Sequence, residues 1–159
     1  DMLTFARSDQ NDVGFEKLSL PSLLTSICDN LEDQGKDARF ESGGRMTVMG
    51  DRTPLKRGFL NLIENGTKYG LRSRVTTERT DDGRARVIID DDGPGIPEDQ
   101  RQAVFQPFVR LEDSRNRMTG GRGLGLAIVT KVMDRHGADL TLSRAPSGGL
   151  RVIVDLDLA

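Results

Sequence analysis

The chain has 159 residues, with 23 Lys or Arg against 25 Asp or Glu, a formal net charge of −2 and a hydrophobic fraction of 35%. That balance excludes a nucleic-acid binder working by bulk positive charge and, equally, an acidic disordered tail. A chain of this length buries enough surface to hold a core without metal or disulfide staples; its one cysteine, Cys28, allows no internal disulfide and suits a reducing compartment. No apolar run reaches the roughly 18 residues of a membrane span, and the chain opens at Asp1, as a piece of a larger protein would.

In chain order, residues 1–12 read as the tail of a helix (Met2, Leu3, Phe5, Ala6) running into a polar linker, Ser8 to Asp12, and residues 13–159 as one folded domain. Phe15 to Leu20 alternates like a short strand, and Pro21 opens a helix carrying Leu23, Leu24, Ile27 and Leu31 at helical spacing. Arg39–Phe40 and Met46–Met49 are predicted as two short strands around the turn Ser42-Gly43-Gly44. A long helix follows, with Asp51 or Thr53 as N-cap, ending near Gly70. Val75–Arg79 and Arg84–Asp90 form a hairpin across Asp81-Asp82-Gly83. Pro97 begins a short helix to Phe105, and Gln106 to Arg122 shows little periodicity. A helix from Leu124 to His136 then places Leu124, Ile128, Val132 and Met133 on one side, and two final strands, Asp139–Ser143 and Leu150–Leu156, flank Pro146-Ser147-Gly148-Gly149. The mixture predicts an α+β sandwich: a mostly antiparallel mixed sheet with helices on one face.

Three constellations carry chemistry. On the long helix, Arg57, Asn61, Glu64, Asn65 and Lys68 share one face, and Leu55, Phe59, Leu62, Ile63 and Gly66 lie opposite. Alone, this is a solvated amphipathic helix with a Glu64–Lys68 pair. It is also a face on which amide oxygens can enter an octahedral Mg²⁺ shell while a nucleotide's phosphates supply the charge. The strand Val87-Ile88-Ile89 runs into Asp90-Asp91-Asp92-Gly93-Pro94-Gly95-Ile96. This reads equally as an exposed turn or as a fixed carboxylate accepting a hydrogen bond from the exocyclic amine of adenine, beside glycines that let a base lie close. Thr119-Gly120-Gly121-Arg122-Gly123-Leu124-Gly125-Leu126 puts glycines at a helix start, where free N–H groups and the helix dipole face an anion. A Rossmann arrangement is rejected, because this segment follows a long loop rather than the first strand of a βαβ unit.

Their order, with Phe105-Gln106-Pro107-Phe108-Val109-Arg110 between the second and third, resembles the N, G1, F and G2 boxes of the ATP-binding domain of two-component sensor histidine kinases, within the gyrase, Hsp90, histidine kinase and MutL superfamily. Residues 105–128 look most like the osmosensing, OmpR-partnered subgroup, and Asp1–Arg7 is similar to the end of the dimerisation helix of such kinases. The resemblance implies the ATP-binding fold of that superfamily, with ATP and Mg²⁺ as ligands. Asn65, assisted by Asn61, would hold the metal. Lys68 and Tyr69 would approach phosphates and base or ribose, and Asp91 would take the adenine amine in a pocket lined by Gly93, Gly95 and Ile96. Gly121, Gly123, Leu124, Gly125 and Leu126 would wrap the triphosphate.

The same resemblance makes residues 106–122 a mobile ATP lid hinged at Phe105 and Phe108, with Arg110 reaching the γ-phosphate. Arg115 and Arg117 do the same or remain solvated, and Arg122 stands where the family commonly has a small residue or Thr. The hydrolases of the superfamily carry Glu where this chain has Asn61, so hydrolysis should be slow. Glu64 is the only replacement base on this face, and pairing with Lys68 is its expected use. The sole histidine, His136, is read as a partly positive residue at a helix end rather than a phospho-acceptor, so the chain should bind ATP without labelling itself. The implied partners are its own dimerisation and phospho-acceptor domain, in a homodimeric full-length protein, and a response regulator, with no nucleic acid and no membrane contact by this part. The implied location is the cytoplasmic side of an inner-membrane protein. The rival readings are an ATP hydrolase of the same superfamily and a binding module that has lost ATP.

Overall fold

A computed structural model describes residues 14–69, 72–92, 122–146 and 148–159, with the backbone alone at 68, 69 and 122–126. The elements are β1 (Phe15–Ser19), α1 (Leu20–Asp33), β2 (Ala38–Glu41), β3 (Thr47–Asp51), α2 (Arg52–Tyr69), β4 (Ser73–Arg79), β5 (Arg84–Asp91), α3 (Arg122–Arg135), β6 (Asp139–Arg144) and β7 (Leu150–Asp157). The expected linker over residues 1–12, the helix from Pro97 to Phe105 and the lid lie outside the described residues. No helix among the described residues is long and apolar enough to cross a membrane.

Five strands form a mixed sheet in the order β2-β4-β5-β7-β6, antiparallel throughout except for the parallel pair β2–β4. The α+β expectation therefore holds, with one addition: β1 and β3 make a separate two-stranded antiparallel sheet. The two short strands after α1 are thus not a hairpin. The Gly43 N–H donates to the Thr77 hydroxyl at 2.9 Å, and Arg79 donates to the Arg45 carbonyl at 2.8 Å, so the segment leaving β2 is drawn along β4 and delivers β3 to β1 instead. The β4–β5 hairpin forms as its turn residues predict, with Gly83 at φ 83° and its N–H donating to the Thr80 carbonyl.

Alternation separates the faces of the large sheet. Val75, Ala85, Val87, Ile89, Val152, Val154 and Leu156 point into the core. The other face carries cross-strand ion pairs: Arg86 opposite Asp155, bidentate at 2.8 and 3.0 Å, and Arg151 opposite Asp90, bidentate at 2.7 Å through both nitrogens. The helices cover the apolar face, α2 over β4 and β5, α1 toward β2 and α3 toward β6. Ser19 caps α1 by accepting from the Ser22 N–H, Pro21 sits in the first turn, and Leu23, Leu24, Ile27 and Leu31 are buried as their spacing predicts.

Two expectations are corrected in α3. Ile128 is 40% exposed, and the buried positions among the described side chains of α3 are Ala127, Val129 and Met133, with Val132 packed against the core. The reason is the neighbour: a Cβ built on Gly58 of α2 would lie 3.3 Å from both Val132 and Met133, so α2 fixes which side of α3 is covered. The other correction is His136, whose imidazole is held below its ordinary pKa, chiefly by burial. Its Nε2 accepts the Asp51 N–H at 3.0 Å and its Nδ1 lies 2.7 Å from the Val132 carbonyl, so it is a neutral ring with the proton on Nδ1 rather than a partly positive one.

Candidate functional site

The long helix α2 begins at Arg52, directly after β3, and its apolar stripe is as predicted: Leu55, Phe59, Leu62, Ile63 and Gly66 are all buried. On the opposite side Asn61, Glu64 and Asn65 are half-buried, whereas Arg57 is exposed. The Asn65 Oδ1 is buried and has no hydrogen-bond partner among the described residues. A buried amide oxygen left without any partner costs about 1–3 kcal/mol. The expected partner of Glu64, the Lys68 side chain, lies outside the described residues. The Glu64 carboxylate takes Lys36, from the loop after α1, at 2.6 Å, with both side chains about a quarter exposed. Sequence spacing within one helix had no means of revealing a cation 28 residues away.

The three consecutive acids have three fates, set by strand alternation. Asp90 points outward to Arg151. Asp92 follows the strand and accepts the Arg72 N–H at 2.9 Å. Asp91 follows the parity of Ala85, Val87 and Ile89 and so points to the helix side, opposite Ser73 in the β4–β5 register. There it meets α2: a Cβ built on Gly66 would stand 3.1 Å from the Asp91 Cβ and 2.8 Å from the Ser73 Oγ. Ser73 is fully buried, and its hydroxyl also lacks a partner among the described residues. The same turn of α2 therefore carries Asn65 and abuts Asp91, bringing together the two sequence motifs.

A third element closes on Asp91. The Leu150 N–H, at the start of β7, donates to the Asp91 Oδ1 at 3.0 Å, and Gly149 lies against the same residue. Gly149, Leu150 and Ser73 are the site neighbours that sequence reading missed. Pro146-Ser147-Gly148-Gly149 carries a turn signal, but nothing in it announces a contact with a residue 59 positions earlier.

The glycine-bearing segment 122–125 is helical and forms the first turn of α3, which starts at Arg122, two residues before the expected Leu124; the side chains of Leu124 and Leu126 are outside what is described, as are those of Lys68 and Tyr69 at the end of α2. Gly93, Gly95, Ile96, Arg110 and Gly121 also lie outside the described residues.

Residues 50–159 match the family model described as histidine kinase-, DNA gyrase B-, and HSP90-like ATPase. The signal transduction histidine-protein kinase BaeS of Escherichia coli is 32% identical over 167 residues, and the sensor histidine kinase CpxA of the same organism 30% over 164. Each alignment covers 99% of this chain but 36% of the relative, so the chain spans about a third of their length. Among solved structures, a mycobacterial sensor histidine kinase, MprB, superposes with a TM-score of 0.77 at 30% identity, covering 91% of this chain and 97% of that one. The histidine kinase domain of the Escherichia coli osmosensor EnvZ superposes at 0.69 with 31% identity, covering 91% and 89%. The match over residues 50–159 takes in α2, β5, α3 and β7, the elements that build the site. The chain therefore belongs to the histidine kinase-, DNA gyrase B- and HSP90-like ATPase family.

Proposed function

We propose that this chain is the ATP-binding catalytic domain of a sensor histidine kinase. It binds Mg-ATP and presents the γ-phosphoryl group to a histidine on a separate dimerisation and phospho-acceptor domain. ADP leaves, and the phosphoryl group then passes to an aspartate of a response regulator. In the full-length protein the domain works on the cytoplasmic side of a homodimeric inner-membrane kinase.

The observation that supports this most is that one turn of α2 carries the buried Asn65 Oδ1, without a partner among the described residues, and at the next residue, Gly66, abuts the inward-facing Asp91. Asn65 fits a hard cation, since its neutral oxygen leaves room for phosphate oxygens in the shell, and Asn61 stands one turn earlier on the same face. Bound there, Mg²⁺ would neutralise charge on the phosphates. Asp91 accepts the adenine amine, with Gly93, Gly95 and Ile96 beside the base. Lys68, Tyr69, Arg110 and the segment Gly121, Gly123, Leu124, Gly125 and Leu126 take the phosphates and ribose.

Retention of the phosphoryl group follows from what the α2 face lacks. Hydrolysis needs a carboxylate to orient water, and position 61 offers an amide. Glu64, the only acid among the five polar-face residues, is committed to Lys36. Phosphoryl transfer needs alignment and charge neutralisation instead, with the attacking imidazole brought in line. His136 does not serve as that acceptor within the chain, because both its ring nitrogens are engaged.

The test mixes the chain with Mg-ATP, labelled on the γ-phosphate, and a separate dimerisation domain carrying the acceptor histidine. Acid-labile label should appear on the acceptor and not on this chain, and Asn65→Ala should abolish it while the circular dichroism spectrum is kept. Rapid phosphate release without acceptor would make the chain a hydrolase, and unchanged Mg-nucleotide affinity in Asn65→Ala would remove that residue from the metal site.

A further inference from the structure

We propose that the β6–β7 turn decides which base the site accepts: Gly149 and the main-chain amide of Leu150 are positioning residues that fix the Asp91 carboxylate. This rests on the reading of Asp91 as the residue that meets the base.

A carboxylate at the end of a strand has several staggered orientations, and selectivity requires that one be held. Adenine offers a donor amine where guanine offers an oxygen, so an acceptor discriminates between them only if it cannot turn aside. Here the Leu150 N–H donates to the Asp91 Oδ1 at 3.0 Å, a charge-assisted bond that sets the plane of the carboxylate. That bond exists because position 149 has no side chain. A Cβ built on Gly149 would stand 2.1 Å from the Asp91 carbonyl oxygen and 2.4 Å from its Oδ1. The carboxylate could rotate away; the carbonyl belongs to the main chain of β5 and cannot.

The turn itself is closed by two main-chain bonds of 2.8 Å, Ala145 N–H to the Gly149 carbonyl and Gly148 N–H to the Ala145 carbonyl, so it holds a defined position against β5. On the opposite side Gly66 of α2 leaves the remaining room. Asp91 thus sits in a socket walled by two glycine positions and held from the β6–β7 side by the Leu150 amide, and none of the three belongs to the Asp-Gly-Pro-Gly motif.

The experiment measures affinities of Mg-ADP, Mg-GDP and inorganic tripolyphosphate for the unmodified chain and Gly149→Ala. Gly149→Ala should lose ADP affinity by tenfold or more and lose most of its preference for ADP over GDP, while tripolyphosphate affinity stays within twofold. A folded Gly149→Ala with an unchanged ADP to GDP ratio overturns the proposal. Should Gly149→Ala not fold, amide hydrogen exchange decides. The Leu150 amide should be protected in the unmodified chain and lose that protection in Asp91→Ala; a freely exchanging Leu150 amide in the unmodified chain overturns the proposal. If the unmodified chain binds neither nucleotide, the nucleotide reading itself fails, and this proposal with it.

Discussion

Replacing His136 with alanine should cost about 3 kcal/mol at pH 7.5 and remove the near-neutral pH dependence of stability. The ring ties three elements together. Its Nε2 accepts the N–H of Asp51, where β3 turns into α2, and its Nδ1–H donates to the Val132 carbonyl of α3. Its face stacks on Phe15 of β1 at 4.9 Å with the planes 15° apart. Arg135 completes the cluster, 5.0 Å above the Phe15 ring and 2.9 Å from the Asp51 carboxylate. Two hydrogen bonds at about 1 kcal/mol each and a stacked pair at about 1 kcal/mol give the total. In a domain of this size that is a fall in melting temperature of roughly 6–12 °C.

The pH dependence follows from the depressed pKa. A proton on Nε2 would face the Asp51 N–H, donor against donor, so the folded state resists protonation at a pH where the unfolded chain already accepts it. The stabilisation is complete above the unfolded value near 6.5 and is lost as pH falls through it toward the folded value, with a slope of at most about 1.4 kcal/mol per pH unit for one proton. Because the chain contains a single histidine, the trend between pH 7.5 and 6 belongs largely to this ring. Urea unfolding of both proteins across that range is the assay. Equal slopes, or a cost below about 1 kcal/mol at pH 7.5, would refute the reasoning.

Cys28 is buried in α1, and burial, with Asp29 and Glu32 beside it, pushes its thiol up to about 11. A thiol reagent at pH 8 should therefore label it only at the rate of unfolding, and prompt labelling of the folded chain would contradict its burial. Glu64→Gln should leave phosphoryl transfer to the acceptor unaltered, because the carboxylate is held by Lys36; a large fall in the transfer rate would make Glu64 a catalytic group. Lys36→Ala should cost no more than about 1 kcal/mol in urea unfolding, since both partners are partly exposed.

Periodicity located α1, α2 and α3, the β4–β5 hairpin and the final pair of strands because each is a local pattern: Leu23, Leu24, Ile27 and Leu31 on α1, or Asp-Asp-Gly between two alternating runs. Long-range pairing was hidden for the same reason. Nothing within Arg39 to Met49 tells β2 to run parallel to β4 and β3 to join β1, since the choice is made by Thr77 and Arg79, more than thirty residues on. Likewise Ile128 obeys helical spacing yet is exposed, because Gly58 on another helix decides which side of α3 is covered. At the site, the residue types of Asn65 and Asp91 were legible as chemistry. The acid that faces inward was settled by strand parity, and the grip of Leu150 on Asp91 by a turn that sequence reads only as a turn.

The distribution of satisfied and unsatisfied groups carries the functional argument furthest. The outer sheet face pairs Arg86 with Asp155 and Arg151 with Asp90, and the polar side of α2 pairs Glu64 with Lys36. Among the described residues the buried side-chain oxygens left without a partner are the Asn65 Oδ1, on the residue before Gly66, and the Ser73 Oγ, 2.8 Å from a Cβ built on Gly66. Each costs about 1–3 kcal/mol, a large share of the stability of a single domain. Under the proposed function, an incoming oxygen-seeking cation and a hydrogen-bonding base would remove that cost at the junction of α2 with β4 and β5, whereas the outer face, with its arginine–aspartate pairs, has none to remove.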